Sequence, residues 1–354
     1  MKFFDKLKNS YKRRKQKAIK RFEDYVLKWV IKSPRRASFY YWFFSKQFDR
    51  EHYAVIRGKI SHLNNSRRTM GADATLRRNV HMIEKGLTTQ DLKPVFAEQY
   101  IEVTVRIYGE LFSDDFDKVT MKWAHDVLMQ YFKTVTLTKK IKQAKLNFEK
   151  IIDKDSRFMD EEQVYAPYLR ETNQDSKINY DEFMKLCIQR RSIRWYEDKE
   201  IPLDLVKKAL EAGLTAPSAC NRQAFRFIIV QDPEKLSHTK RLPMGTDTFA
   251  HNIKLMVIIV GDLSAYFDER DRHLIYIDGG LASMNIMMAL ETLGLASCPI
   301  NWPDIDEREM KIAEEYELKA HERCVMLMSI GYPLPKGGIP FSAKKGVEKT
   351  ITIY

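Results

Sequence analysis

The chain has 354 residues, 44% hydrophobic and 31% charged, with a formal net charge of +12, which supplies enough apolar material for one or two cored domains and excludes a disordered tail protein. Residues 1–50 hold 16 Lys or Arg against 4 Asp or Glu, so they carry the whole excess, and residues 51–354 balance at 44 against 44. Four scattered cysteines, Cys187, Cys220, Cys298 and Cys324, form no CxxC pair, which excludes a zinc ribbon or a disulfide scaffold and fits a reducing compartment.

Residues 1–32 read as one basic amphipathic helix. Phe4, Leu7, Tyr11, Ala18, Phe22, Tyr25 and Trp29 recur at three- and four-residue spacing among Lys and Arg, and Pro34 ends the run. That composition suits an anionic membrane interface; packing on the protein's own body and a solvated basic arm are the alternatives. No basic residues continue into a folded recognition element, so no specific nucleic-acid partner is expected. The basic start is not followed by an apolar run with a cleavage site. Phe39 to Phe44 falls far below the ~20 residues that span a bilayer. The expectation is a cytoplasmic protein, with the arm set on the inner face of the membrane.

From about 38 to 150 the pattern is helical, with Leu76 to Leu87, Phe96 to Phe112 and Val119 to Val135 as its main runs. His81 and Glu84 stand three apart, as di-iron ligands do, but a carboxylate site needs further Glu and Glu-x-x-His pairs. A structural or ion-pairing role is expected for them. Residues 153–179 are polar and acid-rich and read as a linker. The C-terminal part then alternates helices with β-branched runs: helices at Tyr180 to Gln189, Leu203 to Gly213 and Tyr276 to Leu293, and strands at Phe225 to Gln231, Lys254 to Gly261 and Val325 to Gly331. The expected divisions are a basic arm (1–36), a helical extension domain (37–152), a linker (153–179) and a ligand-binding domain (180–354).

The sequence contains no GxxxxGK[ST], no GxGxxG after a strand, no GxSxG and no HExxH, and its eight histidines form no pair at i, i+4. A metal or catalytic-triad mechanism is therefore not expected. What stands out is Arg190-Arg191-Ser192-Ile193-Arg194 at a helix end. Three guanidiniums so close repel unless an anion balances them, and guanidinium suits planar, bidentate phosphate recognition. The bland alternative is a basic helix end complementing the helix dipole. The second feature is Thr215 to Phe227, a loop of small and amide-bearing residues between a helix and a strand, where Ser218, Asn221 and Gln223 offer donors and acceptors.

Together these segments resemble the nitroreductase family of FMN-dependent oxidoreductases, over about half the chain from Tyr180 onward. The basic-basic-Ser-x-basic motif is matched by Arg190 to Arg194. The Pro-Ser-x-x-Asn-x-Gln-Pro loop is matched by Pro217 to Gln223, with Ala224 replacing the proline. A helix ending in Leu-Gly-Leu-x-x-Cys is matched at Leu293 to Cys298, and Gly-Tyr-Pro with a later basic pair at Gly331 to Pro333 and Lys344-Lys345. The resemblance implies an α+β fold, a nitroreductase-like mixed sheet flanked by helices and preceded by a mainly helical N-terminal domain. It implies FMN held by Arg190, Arg191, Ser192 and Arg194, with Lys344 and Lys345 reaching the phosphate, and NAD(P)H as electron donor.

By the same resemblance, Arg194 would stabilise negative charge on the N1/O2 side of the reduced ring. Pro217, Ser218, Asn221 and Gln223 would contact the flavin from the partner subunit of a homodimer. Pro299, Ile300 and Asn301 lie where the family has Pro-Ile-Glu, so the backbone of Asn301 would serve flavin N5. Trp302 replaces a small residue and is expected either to wall a substrate pocket or to cover the cofactor edge. The Arg77 to Leu87 run, R-R-x-x-H-x-x-E-K-G-L, is similar to extensions that accompany such domains in bacterial polysaccharide gene neighbourhoods. The expected activity is hydride transfer from NAD(P)H through FMN to a small organic acceptor, nitroaromatic or quinone-like. The alternatives are a membrane-recruited flavin-binding module with little turnover and a substrate-oxidising flavin dehydrogenase.

Overall fold

A computed structural model of the chain describes residues 25–64, 70–112, 116–153, 158, 163–172 and 175–354. The greater part of the expected basic helix, residues 1–24, lies outside the described residues. The chain divides into two compact units, residues 1–53 and 54–354. In the first, residues 25–30 are helical, and Pro34 does more than end that helix: it occupies the first turn of α1 (Pro34–Phe43), whose N-cap Ser33 accepts from the Arg36 amide. A second helix, α2 (Asp49–Asn64), crosses the division, so that its residues from Ala54 onward belong to the second unit.

In the second unit, α3 (Met70–Leu87), α4 (Ile101–Phe112), α5 (Lys118–Thr134) and α6 (Lys139–Ile152) share one core, in which Leu76, Ile83, Tyr108, Leu128, Tyr131 and Phe148 are fully buried. Asp117 and Thr138 cap α5 and α6 by accepting from the amides of Thr120 and Ile141. The expected helix from Phe96 starts only at Ile101, because Ala97 takes φ 59° and turns the chain first. His81 lies 3.5 Å from Glu84, and the Trp123 indole N–H donates to the same carboxylate at 2.8 Å, so the pair serves helix packing. Residues of the expected linker are also held by this core. Phe158 is buried in it, and the Tyr165 amide donates to Asp126 at 2.7 Å.

After the short α7 (Tyr180–Gln189), opened by a reciprocal Asn179–Glu182 capping box, comes a four-stranded antiparallel sheet in the order β1-β2-β4-β3. Its strands are β1 (Phe225–Val230), β2 (Leu255–Asp262), β3 (Ala296–Asn301) and β4 (Glu322–Gly331). The α+β class holds, and the named strands all pair antiparallel; the parallel component among the described residues is a lone bridge between Ser192 and Ser297. Every residue of β2 is buried, and its side chains divide by parity. Leu255, Val257 and Ile259 face α8 (Leu203–Leu214) and α10 (Leu274–Thr292), where Val206, Ile286 and Leu290 meet them. Met256, Ile258 and Val260 face Leu236 of α9 (Pro233–Thr239), Ile312 of α11 (Asp306–Glu315) and Trp302.

The helical layer docks onto this sheet domain through small side chains. Ala54 and Ala74 join Ala224, Leu263, Ala265, Tyr266 and Ile275 in one buried cluster. Gly58 lies so close to Leu263 that a Cβ there would sit 2.8 Å from its backbone, which is why α2 carries glycine at that position. Polar contacts register the two layers: His62 Nδ1 donates to the Ser264 carbonyl at 2.9 Å, and Lys59 pairs with Glu269 at 2.7 Å.

Candidate functional site

The arginine loop follows α7, whose C-cap is Arg190. The loop is laid against β3: the Ile193 amide donates to the Ser297 carbonyl at 3.0 Å beside the Ser192–Ser297 bridge. Tyr196 locks its far end. The phenol donates to the Ile193 carbonyl at 2.7 Å and lies 2.8 Å from the Ser329 hydroxyl, and burial pushes its pKa well above the usual tyrosine range. Asn252 completes the clamp by donating to the Arg194 carbonyl at 2.7 Å and accepting from the Tyr196 amide at 3.3 Å. These contacts fix the loop through its backbone and leave its guanidiniums out.

Those guanidiniums are left under-satisfied. Arg190 Nε is shut off from water with no hydrogen-bond partner among the described residues, and so is the Ser297 hydroxyl. Arg194 donates to the Ser192 carbonyl at 3.3 Å and stands 5.8 Å from the Phe249 ring centroid. Among the described residues no carboxylate forms an ion pair with Arg190, Arg191 or Arg194. Their field is felt at Cys298, where burial raises the thiol's pKa and Arg194 and Arg190 oppose the rise. A desolvated donor without a partner costs on the order of 1–3 kcal/mol, a cost that an anionic, hydrogen-accepting ligand at this seam would relieve.

The amide-rich loop is a second, separately anchored cluster. Cys220, Asn221 and Gln223 all take positive φ, at 54°, 51° and 50°, a left-handed conformation that side-chain-bearing residues hold only when their surroundings fix it. Ser218 Oγ accepts from the Gln223 amide at 3.1 Å, and Asn221 Oδ1 accepts from Gln223 Nε2 at 3.0 Å. Asp278, 2% exposed on α10, accepts from the Ala219 amide at 3.1 Å and from the Tyr266 hydroxyl at 3.5 Å. Burial raises the Asp278 pKa, opposed by those bonds and by Arg222, whose guanidinium stands over the Tyr266 ring. Pro217 is exposed beside this loop.

Register separates the two clusters. Ser297 is opposite Ile330, which pairs with Leu255 at the start of β2, whereas Phe225, two residues after Gln223, is opposite Gly261, which pairs with Arg323. Arg323 to Ile330 is seven steps along β4, roughly 24 Å at about 3.4 Å per residue. Pro299, Ile300 and Asn301 lie on β3, between those ends, and Asn301 is exposed at the strand terminus. Lys344 and Lys345 stand in the exposed tail and make no hydrogen bond or ion pair among the described residues.

Trp302 departs from expectation. It is 8% exposed and belongs to the core beneath the sheet, where its indole N–H donates to Glu309. Glu309 is itself 3.4 Å from Arg323, which also pairs with Asp304 at 2.8 Å. Trp302 is thus a core anchor for the end of β3 rather than a wall of an open pocket, because a buried carboxylate claims its one donor. Sequence reasoning missed Ser297, Asn252 and Asp278; of these only Asp278 carried a signal, as a lone acid in the apolar run of α10.

A family model for the nitroreductase family matches residues 188–242 and 237–332, a span that contains both clusters and all of the sheet. A protein of Archaeoglobus fulgidus, provisionally named NADH dehydrogenase/NAD(P)H nitroreductase, is 30% identical over 159 residues, covering 43% of this chain and 86% of the relative. The chain belongs to the nitroreductase family. A Methanothermobacter thermautotrophicus protein with the same provisional name is 27% identical over 165 residues, 46% of this chain and 84% of the relative. Among solved structures, an FMN-dependent nitroreductase of Clostridium difficile is 26% identical, with a TM-score of 0.41 over 48% of this chain and 98% of that one. In this chain the family match begins only at residue 188, leaving the helical layer outside it.

Proposed function

We propose that the chain is an FMN-dependent NAD(P)H oxidoreductase acting on a small organic acceptor, nitroaromatic or quinone-like. The observation that carries this reading is the desolvated Arg190 Nε, without a hydrogen-bond partner among the described residues, in a loop whose three guanidiniums form no ion pair there, which fits a phosphate monoester and its adjoining planar ring. In this reading Arg190 and Arg191 hold the phosphate, Ser192 donates beside it, and Arg194 sets a fixed positive charge against the pyrimidine edge. The backbone of Pro299 to Asn301 lines the ring's reacting side. When bound, FMN supplies two-electron hydride chemistry, and the chain's part is to bind, orient and exclude water. The domain division proposed with this reading is an FMN domain at 180–354, joined through 153–179 to the helical extension of 37–152.

The separation of the two clusters favours a homodimer. One chain holds the arginine loop and the Ser218 to Gln223 loop at opposite ends of its sheet, so a second copy brings its own amide loop to the first copy's arginines. Exposed apolar side chains support the pairing: Tyr180, Phe183 and Ile188 on α7, Ile277, Leu281 and Met284 on α10, and Phe341 and Ile353 in the tail that carries Lys344 and Lys345. Residues 1–32, with their basic excess, are proposed to hold the cytoplasmic enzyme against the anionic inner face of the membrane.

Steady-state oxidation of NADH or NADPH with a quinone or a nitroarene tests the activity. Turnover that vanishes when FMN is stripped and returns when it is added back is the expected result. Bound FMN with no turnover from either nucleotide would favour the flavin-binding module instead.

A further inference from the structure

We infer that α1 is an interfacial insertion element that seats the chain on an anionic lipid bilayer. This deepens the peripheral reading above and rests on it for the choice of a lipid surface, but the evidence lies in different residues. No side chain of α1 is buried. Trp42 is 76% exposed, Phe43 64% and Phe44 55%, and Phe39, Tyr41 and Phe48 are exposed beside them. These rings touch chiefly one another, with Phe39 and Phe43 stacked at 5.7 Å, Phe43 and Phe44 edge-on at 5.0 Å, and Tyr41 and Phe48 edge-on at 4.5 Å.

Six consecutive aromatic residues, Phe39 to Phe44, point round the whole helix at about 100° per residue rather than forming one stripe. A protein groove would cover only part of such a surface. A bilayer interface surrounds it, and Trp and Tyr favour the headgroup level. At 10 residues the helix is about 15 Å long, half of the ~30 Å hydrocarbon core. Among the described residues no helix is long and apolar enough to cross a membrane, so the element lies in the interface and does not span it.

Charge commits the occupant. Residues 25–53 carry Lys28, Lys32, Arg35, Arg36, Lys46 and Arg50 against Asp49 and Glu51, and Arg36 stacks over the Trp29 ring at 4.8 Å. A second copy of the same patch would oppose cations to cations. Anionic headgroups neutralise them, each basic residue near such a surface contributing about 1 kcal/mol. The rings then supply a second, salt-insensitive contribution that a purely basic arm lacks.

The test is co-sedimentation of the full chain with phosphatidylcholine vesicles, with and without phosphatidylglycerol, at low and high salt. Three proteins are compared: wild type, Trp42→Ser with Phe43→Ser, and a deletion of residues 1–24. The wild type should bind the anionic vesicles and keep part of that binding in high salt. The double variant should bind at least about tenfold more weakly with an unchanged melting temperature, and the deletion should lose mainly the salt-sensitive part. A double variant that binds like wild type overturns the inference while leaving the basic arm as the membrane contact. No vesicle binding by the wild type overturns both. A change in oligomeric state of the double variant in sedimentation velocity, without lipid, would make the patch a subunit contact and also overturn it. If the double variant does not fold, quenching of wild-type tryptophan fluorescence by brominated lipid, lost in Trp42→Phe, decides the same point.

Discussion

Arg323 and Arg190 both keep guanidinium nitrogens away from water, and the chain treats them in opposite ways. Arg323, at the start of β4, is 3% exposed and is balanced by Glu309 and Asp304, with Trp302 donating to the same Glu309. Arg190, at the other end of the sheet domain, also has a buried Nε but forms no ion pair with a carboxylate among the described residues. A cation whose work is structural is neutralised by its own chain. Arg190 is not so neutralised, which is what the proposed ligand-holding role requires, and its loop is fixed by other means: Tyr196, Asn252 and the bridge to Ser297.

The strongest way to break this contrast is to truncate both. Arg323→Ala strands the Glu309 carboxylate in the core and should cost about 3–5 kcal/mol of stability, read by denaturant unfolding. Glu309→Gln should cost less, since it keeps an acceptor for the Trp302 indole. Arg190→Ala should leave the unfolding of the flavin-free protein within roughly 0.5 kcal/mol of wild type, while weakening FMN binding about 10- to 100-fold, the loss of one charge-assisted hydrogen bond. Fluorescence titration measures the second effect; equal stability losses in the two variants would erase the distinction.

Smaller effects sharpen it. Asp278→Ala removes the acceptor of the Ala219 amide and the Tyr266 hydroxyl and should cost about 1–3 kcal/mol. Asp278→Asn, which keeps one carbonyl acceptor, should recover part of this in the same unfolding assay.

The smallest effect is expected from pH. His62 and His321 are both held below the usual histidine range, burial being the larger cause in each. Arg222 and Arg78 add to it at His62, where the bond to Ser264 opposes; Lys319 and Arg57 add to it at His321, where Asp262 and Glu322 oppose. A histidine whose folded pKa is lowered costs nothing when neutral in both states, and it penalises the folded state as pH falls from about 6.5 toward that lowered value. The contribution of these two histidines should therefore lower the melting temperature between about pH 7 and pH 5, and His62→Gln, which retains a donor for Ser264, should raise the melting temperature at pH 5 relative to that at pH 7 when compared with wild type.

What the sequence made legible was local. The helix from Tyr180 to Gln189 carries its own capping box, and β1, β2 and β4 each hold an apolar run, Phe227 to Val230, Leu255 to Val260 and Cys324 to Met328, so their type and place could be read directly. β3 escaped because ASCPIN contains Ser and Pro and follows a helix end, and its strand character comes only from pairing with β4. From its neighbours in sequence Trp302 reads as a pocket wall or a cover for the cofactor edge, and what decides its position is Glu309 on the next helix and Arg323 on β4. The arginine and amide loops each announced a site, yet only strand register reveals that they lie at opposite ends of one sheet. That distance depends on pairing between residues far apart in the chain, which no local pattern carries.

The central claim is that the unpaired arginine loop is an FMN phosphate site, and titrating the flavin-free full chain with FMN, while following flavin fluorescence and the visible absorption band, tests it most directly. Saturable, stoichiometric binding that inorganic phosphate competes away and that Arg190→Ala weakens is the predicted result. No binding by the wild type, or binding indifferent to Arg190, would contradict it.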